Sequence, residues 1–534
     1  MSTLNNLKNN LMMKNVILFF LSVMIAGLSF GQVSGTHAIP GPNFPTISSA
    51  IDSLNAFGVG SGGVTFNVAA GYSETFTALT SGLINATGTF DNPIIFQKSG
   101  FGANPVITAP PAGTGTYDYI ICLSGSDYIT FDGIDLVDNS LNTTATTAME
   151  WGYALLKAAV DNGSQHVTIR NCKITLQNLS LTSYGIYSDN VKISAPSSQL
   201  TVNNITGTNS YNKIYSDTIT GSVNGIYFSG FNAASPYTFY DQNNELGKDG
   251  RNVIMNFGGA SGTSNGIYAR YQNALAISNN LVTTTVSTAA YGINLQTGNN
   301  ANAEISSNTV QIQCTGTTTT VYGINNSMGG NGTNNTVSIF NNIVSNNLMP
   351  NVTTGAFYGI NSPASCFNLN CYGNSVSGNQ FGSSLATATG TFNAIYLSGG
   401  STTAGSTWNI YGNTITQNIR AQATTDAGNS NYLYLGSSGK TANIYGNIIT
   451  QNYSASRGSA TLLYFSNFSA TANIHDNLLS TQETGGGIIY GMYINNVAGA
   501  LINNNKVLDL YVNGMPAYAY PVYIYGVYMG VASS

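Results

Sequence analysis

Asp132, Asp135, Arg170 and Lys173 are the residues whose types and spacing come nearest to a reactive cluster. Laid over residues 167–174, residues 129–136 agree at every apolar position at an offset of 38. Asp132 then falls over Arg170, and Asp135 over Lys173. On adjacent parallel strands such partners lie about 4.8 Å apart at the backbone. Two chemistries fit: a polar site for an acidic sugar, or oxygen ligands for calcium if Asp138 joins Asp132 and Asp135. The plainer reading, which the residues favour, is a pair of surface salt bridges worth about 0–1 kcal/mol each. No other metal or cofactor is expected.

The rest of the chain offers little to a catalyst. Of its 534 residues only 7% are charged and the net charge is −5, against about 25% charged residues in an ordinary soluble domain. Too few Lys and Arg are present to neutralise phosphates, so a nucleic-acid partner is excluded. With 42% apolar and 11% aromatic residues, disorder is excluded as well. Between Arg270 and Arg420 lie 149 residues with one charged member, Glu304, and no general acid/base pair can be built there. His166 and His475 are isolated in sequence. The five cysteines show no CxxC pair and read as small buried core residues.

What must position these side chains is a repeat. Apolar-x-x-Asn-x-apolar starts at Ile277, Ile305, Ile339, Cys371, Ile410, Ile444, Ile474 and Ile502, in steps of 28 to 39 residues. Between these copies recurs Gly-Ile-Tyr or a variant, from Gly185-Ile186-Tyr187 and Gly225-Ile226-Tyr227 to Gly526-Val527-Tyr528 at the end. An imperfect period near 30 with strand alternation and no helical spacing predicts an all-β solenoid, a right-handed parallel β-helix. Asn at the break suits a left-handed corner, and stacked Asn amides can bond from coil to coil. In Gly-Ile-Tyr the Ile is expected to face the core and both Gly and Tyr the outside. The outer column then holds Tyr187, Tyr227, Tyr268, Tyr396, Tyr434, Tyr464, Tyr493 and Tyr528, with Asn294, Asn325 and Asn361 between. Such rings suit stacking on sugar faces.

Both ends are informative. Residues 1–31 carry Lys8 and Lys14 before an apolar run from Val16 to Phe30, the pattern of a signal peptide. Residues 32–62 read as an N-terminal cap, in which Ile47, Ile51 and Leu54 have helical spacing ended by Gly58. Residues 63–534 read as the β-helix. Val522, Ile524 and Val527 lie in an apolar strand followed by six residues, too few to cover a last coil, so a longer reading frame is expected.

The pattern of Pro45-Thr46-Ile47 with Ala50-Ile51, then Gly63-Val64-Thr65-Phe66-Asn67-Val68, then Asp127 to Gly133, resembles secreted right-handed β-helix proteins of Bacteroidetes. These have the pectin-lyase-like fold and often use type IX secretion. The resemblance implies a secreted or outer-surface protein, although no C-terminal sorting domain is recognisable. The fold hosts lyases, hydrolases and adhesins alike. The leading expectation is non-enzymatic adhesion or extracellular glycan binding. The runner-up is a polysaccharide lyase or glycoside hydrolase acting on an acidic polysaccharide, and the third is a structural spacer of a larger surface protein. The expected partner is an extracellular polysaccharide or a cell surface.

Overall fold

A computed structural model describes residues 31–534, apart from 112, 114, 180–181, 383–388, 402, 422–426, 437–440, 485–486, 513–522 and 531–534. The segment read as a signal peptide up to residue 30, Val522 and the last four residues lie outside the described residues. The chain winds as a right-handed parallel β-helix of about 14 turns. Each regular coil supplies three strands. In one coil these are Ser264–Arg270, Leu275–Ser278 and Leu281–Val286. Each pairs in parallel with its copy in the next coil, Ala290–Leu295, Ala303–Ser306 and Thr309–Cys314. The three stacks form three faces. The first carries Gly-Ile-Tyr, the second precedes the repeat Asn, and the third follows it.

The helix α1 (Ile47–Phe57) covers the first coil as the spacing predicts, with Ile47, Ala50, Ile51 and Leu54 buried. Thr46 and Ser49 form a reciprocal capping box. Glu74 adds its carboxylate, accepting the Ile47 amide at 2.6 Å and the Ser48 amide at 3.1 Å. A negative charge there complements the positive end of the helix dipole. The sequence reading passed over Val33–Ile39, which is a strand paired in parallel with Val59–Ala69. Behind it Phe66, Phe96 and Phe131 stack inside the first coils, with centroids 4.7 and 5.3 Å apart. At the other end Ile524, Val527 and Met529 of the last described strand are exposed.

The Asn repeat forms the expected ladder between the second and third faces. Asn413 and Asn447 are fully buried, and Asn413 Nδ2 donates to Asn447 Oδ1 at 2.9 Å. Bonds of 2.8 to 3.0 Å join Asn252, Asn280, Asn308, Asn342, Asn374, Asn413, Asn447, Asn477 and Asn505 in one line. One expectation is corrected. The left-handed residue is not the ladder Asn but the one before it, as at Asn279, Ser307, Asn341, Gly373, Gly412, Gly446 and Asp476. The turn is made there, which leaves the Asn free to aim its amide inward.

The glycine of Gly-Ile-Tyr is a second correction, because it faces inward. A Cβ on Gly292 would lie 2.3 Å from Val310 Cγ1 and 2.6 Å from the Gly323 carbonyl oxygen. Gly185, Gly225, Gly266 and Gly323 meet the opposite face and the next glycine in the same way. Strand pairing skips the glycine, so strict alternation breaks at that residue. Gly292→Ala is therefore expected to lower stability by about 1–3 kcal/mol through overpacking. An unchanged urea midpoint would show that the column has slack.

Candidate functional site

Because alternation breaks at the glycine, each first-face strand turns two columns outward instead of one. The first column runs Tyr184, Asn224, Asn265, Tyr291, Tyr322, Tyr358, Asn393, Asn431, Thr461, Tyr490 and Tyr525. The second runs Tyr187, Tyr227, Tyr268, Asn294, Asn325, Asn361, Tyr396, Tyr434, Tyr464, Tyr493 and Tyr528. Where one column has Asn the other has Tyr. The amide ladder crosses between columns, through Asn294 Nδ2 donating to Asn265 Oδ1 at 2.8 Å. The aromatic line crosses back where Tyr358 meets Tyr396 edge-on at 5.6 Å. Two braided tracks thus run along the solenoid axis.

The rings stack on one another. Tyr227 and Tyr268 have centroids 4.6 Å apart, Tyr396 and Tyr434 4.2 Å, Tyr434 and Tyr464 4.3 Å, and Tyr464 and Tyr493 5.0 Å. Ring faces used this way cannot also stack on sugars, so the column presents edges and hydroxyls instead. Burial is the first cause of the raised phenol pKa of Tyr227, Tyr268 and Tyr434. These groups are un-ionised at neutral pH, which makes them hydrogen-bonding groups and poor bases.

One stretch of this face is walled. The antiparallel pair Val191–Lys192 and Ala195–Gln199 lies beside Tyr187, which is buried with Trp151, Tyr119 and Leu156. Trp151 stacks on Tyr187 at 4.5 Å. Tyr187 donates its hydroxyl to Asp189 Oδ2 at 2.7 Å, and burial followed by Asp189 holds its phenol far above the usual range. Burial and then Asp189 push Tyr184 up to about 12. Asp189, Ser229 and Arg270 follow one another at the same register position in three successive coils. Arg270 donates from Nε to Ser229 Oγ at 2.9 Å and lies over the Tyr271 ring at 5.6 Å. Arg270 is half-buried and forms no ion pair among the described residues.

The charged cluster read from the sequence forms on the second and third faces. Arg170 pairs with Asp132 at 2.8 Å and donates to the Tyr215 hydroxyl at 2.9 Å. Asp135 accepts the Lys173 backbone amide at 2.7 Å and Asn104 Nδ2 at 2.8 Å. Among the described residues it has no ion pair with the Lys173 ammonium, so only one of the two expected bridges is made. Asp138 is buried and accepts the Met149 amide and Asn142 Nδ2. Among the described residues no group of three or more His, Cys, Asp or Glu could hold a metal ion. All five cysteines are free and buried. His166 is stacked between Tyr128 and Tyr211, and His475 on Tyr445.

The sequence reading missed Tyr184, Asp189 and Arg270, because their residue types alone form no pattern. It also missed a second buried ladder, Asn347, Asn379, Asn418 and Asn452, bonded at 2.7 to 3.0 Å. The signal was present: each member follows a first-ladder Asn by five residues.

No protein-family model matches the sequence, and neither does any curated protein. Solved structures do match. An alginate lyase from Paenibacillus sp. str. FPU-7 has 16% identity and a TM-score of 0.32, over 59% of this chain and 98% of its own. The periplasmic alginate epimerase AlgG has 10% identity and a TM-score of 0.36, over 93% and 84%. PfbA, a surface adhesin of Streptococcus pneumoniae, has 9% identity and a TM-score of 0.27, over 85% and 87%. Polysaccharide lyases, epimerases and glycoside hydrolases stand among these neighbours beside the adhesin. Likeness this distant carries no argument about the activity of this chain. Among the described residues no helix is long and apolar enough to cross a membrane.

Proposed function

We propose that this is a secreted or cell-surface protein that binds an extracellular polysaccharide along its first face without turning it over. One observation carries the reading. Each of eleven successive coils turns at least one phenol outward beside an amide, a hydroxyl or a second phenol, in two adjoining tracks. The coil repeat of about 4.8 Å is close to the length of one pyranose unit in an extended glycan. Phenol hydroxyls at that repeat can bond successive sugars without ring stacking, while the amides beside them are largely buried and bonded from coil to coil. Asp118 and Glu150, two carboxylates joined through the Asp118 amide, are buried at 2% and 1% exposure. Asp118 Oδ2 accepts the Gly115 amide and Glu150 Oε2 the Asp118 amide.

A second reading, a lyase or hydrolase acting on an acidic polysaccharide, is favoured by one feature. Arg270 lies beside un-ionised phenols of Tyr227 and Tyr268. A guanidinium to neutralise a uronate and a phenol to protonate a leaving oxygen are two of the groups an elimination needs.

A glycan array with turnover assays on pectate, alginate and chondroitin, with and without calcium, separates the readings. Binding without eliminase or hydrolase activity is expected. Turnover abolished by Asp132→Ala, Lys173→Ala or Arg270→Met would establish the second reading instead. The triple variant Tyr396→Phe, Tyr434→Phe, Tyr464→Phe keeps the ring stack and removes three hydroxyls. At about 0.5–1.5 kcal/mol per hydrogen bond, it should weaken glycan binding about ten-fold or more. Unchanged affinity would move the contact away from these hydroxyls.

A further inference from the structure

We propose that Arg270 is the specificity-determining residue of the first face and takes the carboxylate of one uronic acid unit. The inference rests on the glycan-binding reading and adds the class of sugar. Arg270 is the exception on a face otherwise made of phenols and amides. Its strand partner in the preceding coil is Ser229, whose own partner one coil earlier is Asp189. The two charges are thus two strand spacings apart, about 9.6 Å at the backbone.

Asp189 is already occupied. Tyr187 donates to it at 2.7 Å, the Asn190 amide at 2.7 Å, and Gln199 Nε2 at 3.3 Å. It forms no ion pair with Arg270 among the described residues and acts on it only through space. On Arg270 the Nε–H is spent on Ser229, which fixes the plane of the guanidinium. The Tyr271 ring, 5.6 Å from the guanidinium carbon, supports it from the side. The guanidinium also donates to the Tyr268 hydroxyl, and the donors left on its terminal nitrogens are those that can grip a planar carboxylate. The phenols of Tyr227 and Tyr268 adjoin this edge. They can donate to the same anion or to the neighbouring sugar hydroxyls.

The overall charge sharpens the inference. At −5 the protein has no general attraction for a polyanion. A preference for uronates must then come from a short-range contact, and Arg270 is the cation on this face that no ion pair occupies among the described residues.

The test uses the full chain and isothermal titration with two probes, a galacturonate oligomer and the same oligomer with its carboxyls reduced to alcohols. The wild type should bind the uronate at least ten-fold more tightly. Arg270→Met should remove that preference while leaving binding of the reduced oligomer and the circular dichroism spectrum unchanged. Arg270→Lys, a point charge without the fork, should restore only part of it. Equal affinity of the wild type for both oligomers overturns the inference and leaves glycan binding standing. So does an Arg270→Met variant that keeps the preference. No binding of either oligomer or of any arrayed glycan overturns the binding reading, and this inference with it.

Discussion

Replacing Asp217 by asparagine is expected to stabilise the protein at neutral pH and to remove a pH dependence that the wild type shows. Asp217 occupies the ladder position of its coil, fully buried, between Cys172 and Asn252. Its Oδ1 accepts the Cys172 amide at 2.8 Å, as each ladder Asn accepts an amide from the coil before. Its Oδ2 stands where every other member has an amide nitrogen, and it has no hydrogen-bond partner. In the next coil Asn252 Nδ2 donates to Asn280 Oδ1 and to the Ile214 carbonyl. A carboxylate oxygen in that place meets acceptors, so the group belongs there as the neutral acid. Burial drives its pKa well above the ordinary aspartate value, and Asp132 and Asp135 push the same way, against the Cys172 amide. Cys172 and Tyr153 are the other titratable groups coupled to it, and both are held neutral by burial.

The sign follows from proton counting. Between the ordinary Asp pKa of about 3.9 and the raised folded value, the folded chain binds one proton more than the unfolded chain. The stabilisation is complete below that window and is lost as pH rises through it, at about 1.4 kcal/mol per pH unit. Asp127, Asp138 and Asp241 are raised by burial too. The difference between wild type and Asp217→Asn isolates the one group. Urea midpoints from pH 4 to pH 9 should diverge steadily, with the variant ahead at the alkaline end. Parallel curves would mean that Asp217 is accommodated as a carboxylate.

Asn413→Ala should be strongly destabilising. Asn413 Nδ2 donates to Asn447 Oδ1 and to the Cys371 carbonyl, and its Oδ1 accepts both the amide and Nδ2 of Asn374. Alanine leaves several buried groups without a partner, at about 1–3 kcal/mol for each. A loss of about 3–5 kcal/mol is expected, with hydrogen exchange rising first in the coils around residues 371, 413 and 447. Coupling between coils is nearest-neighbour, so the loss should stay local. A midpoint within about 0.5 kcal/mol of wild type would mean that water replaces the amide. Asn413→Asp makes a second check, because it recreates the Asp217 situation and should add a new pH dependence.

The sequence by itself determined the solenoid, its phase and its cap. Steps of 28 to 39 residues between Asn copies are the coil lengths, and they reappear as the spacings of the ladder bonds. Burial in a β-helix is periodic in sequence, so the apolar positions and the buried Asn were readable along the chain. The offset of 38 placed Asp132 against Arg170 for the same reason. Which way the glycines point was decided only by the tertiary structure. It turns on one unpaired residue per strand, and that skip makes two outward columns where strict alternation allows one. The same skip sets the Tyr and Asn tracks in exchange and turns ring faces onto each other. Arg270 and Asp189 meet their surroundings only because residues 40 or 41 positions apart share a register and a hairpin folds beside them. Side chains with no periodic partner leave no trace in a repeat, and their neighbours exist only once the coils are stacked.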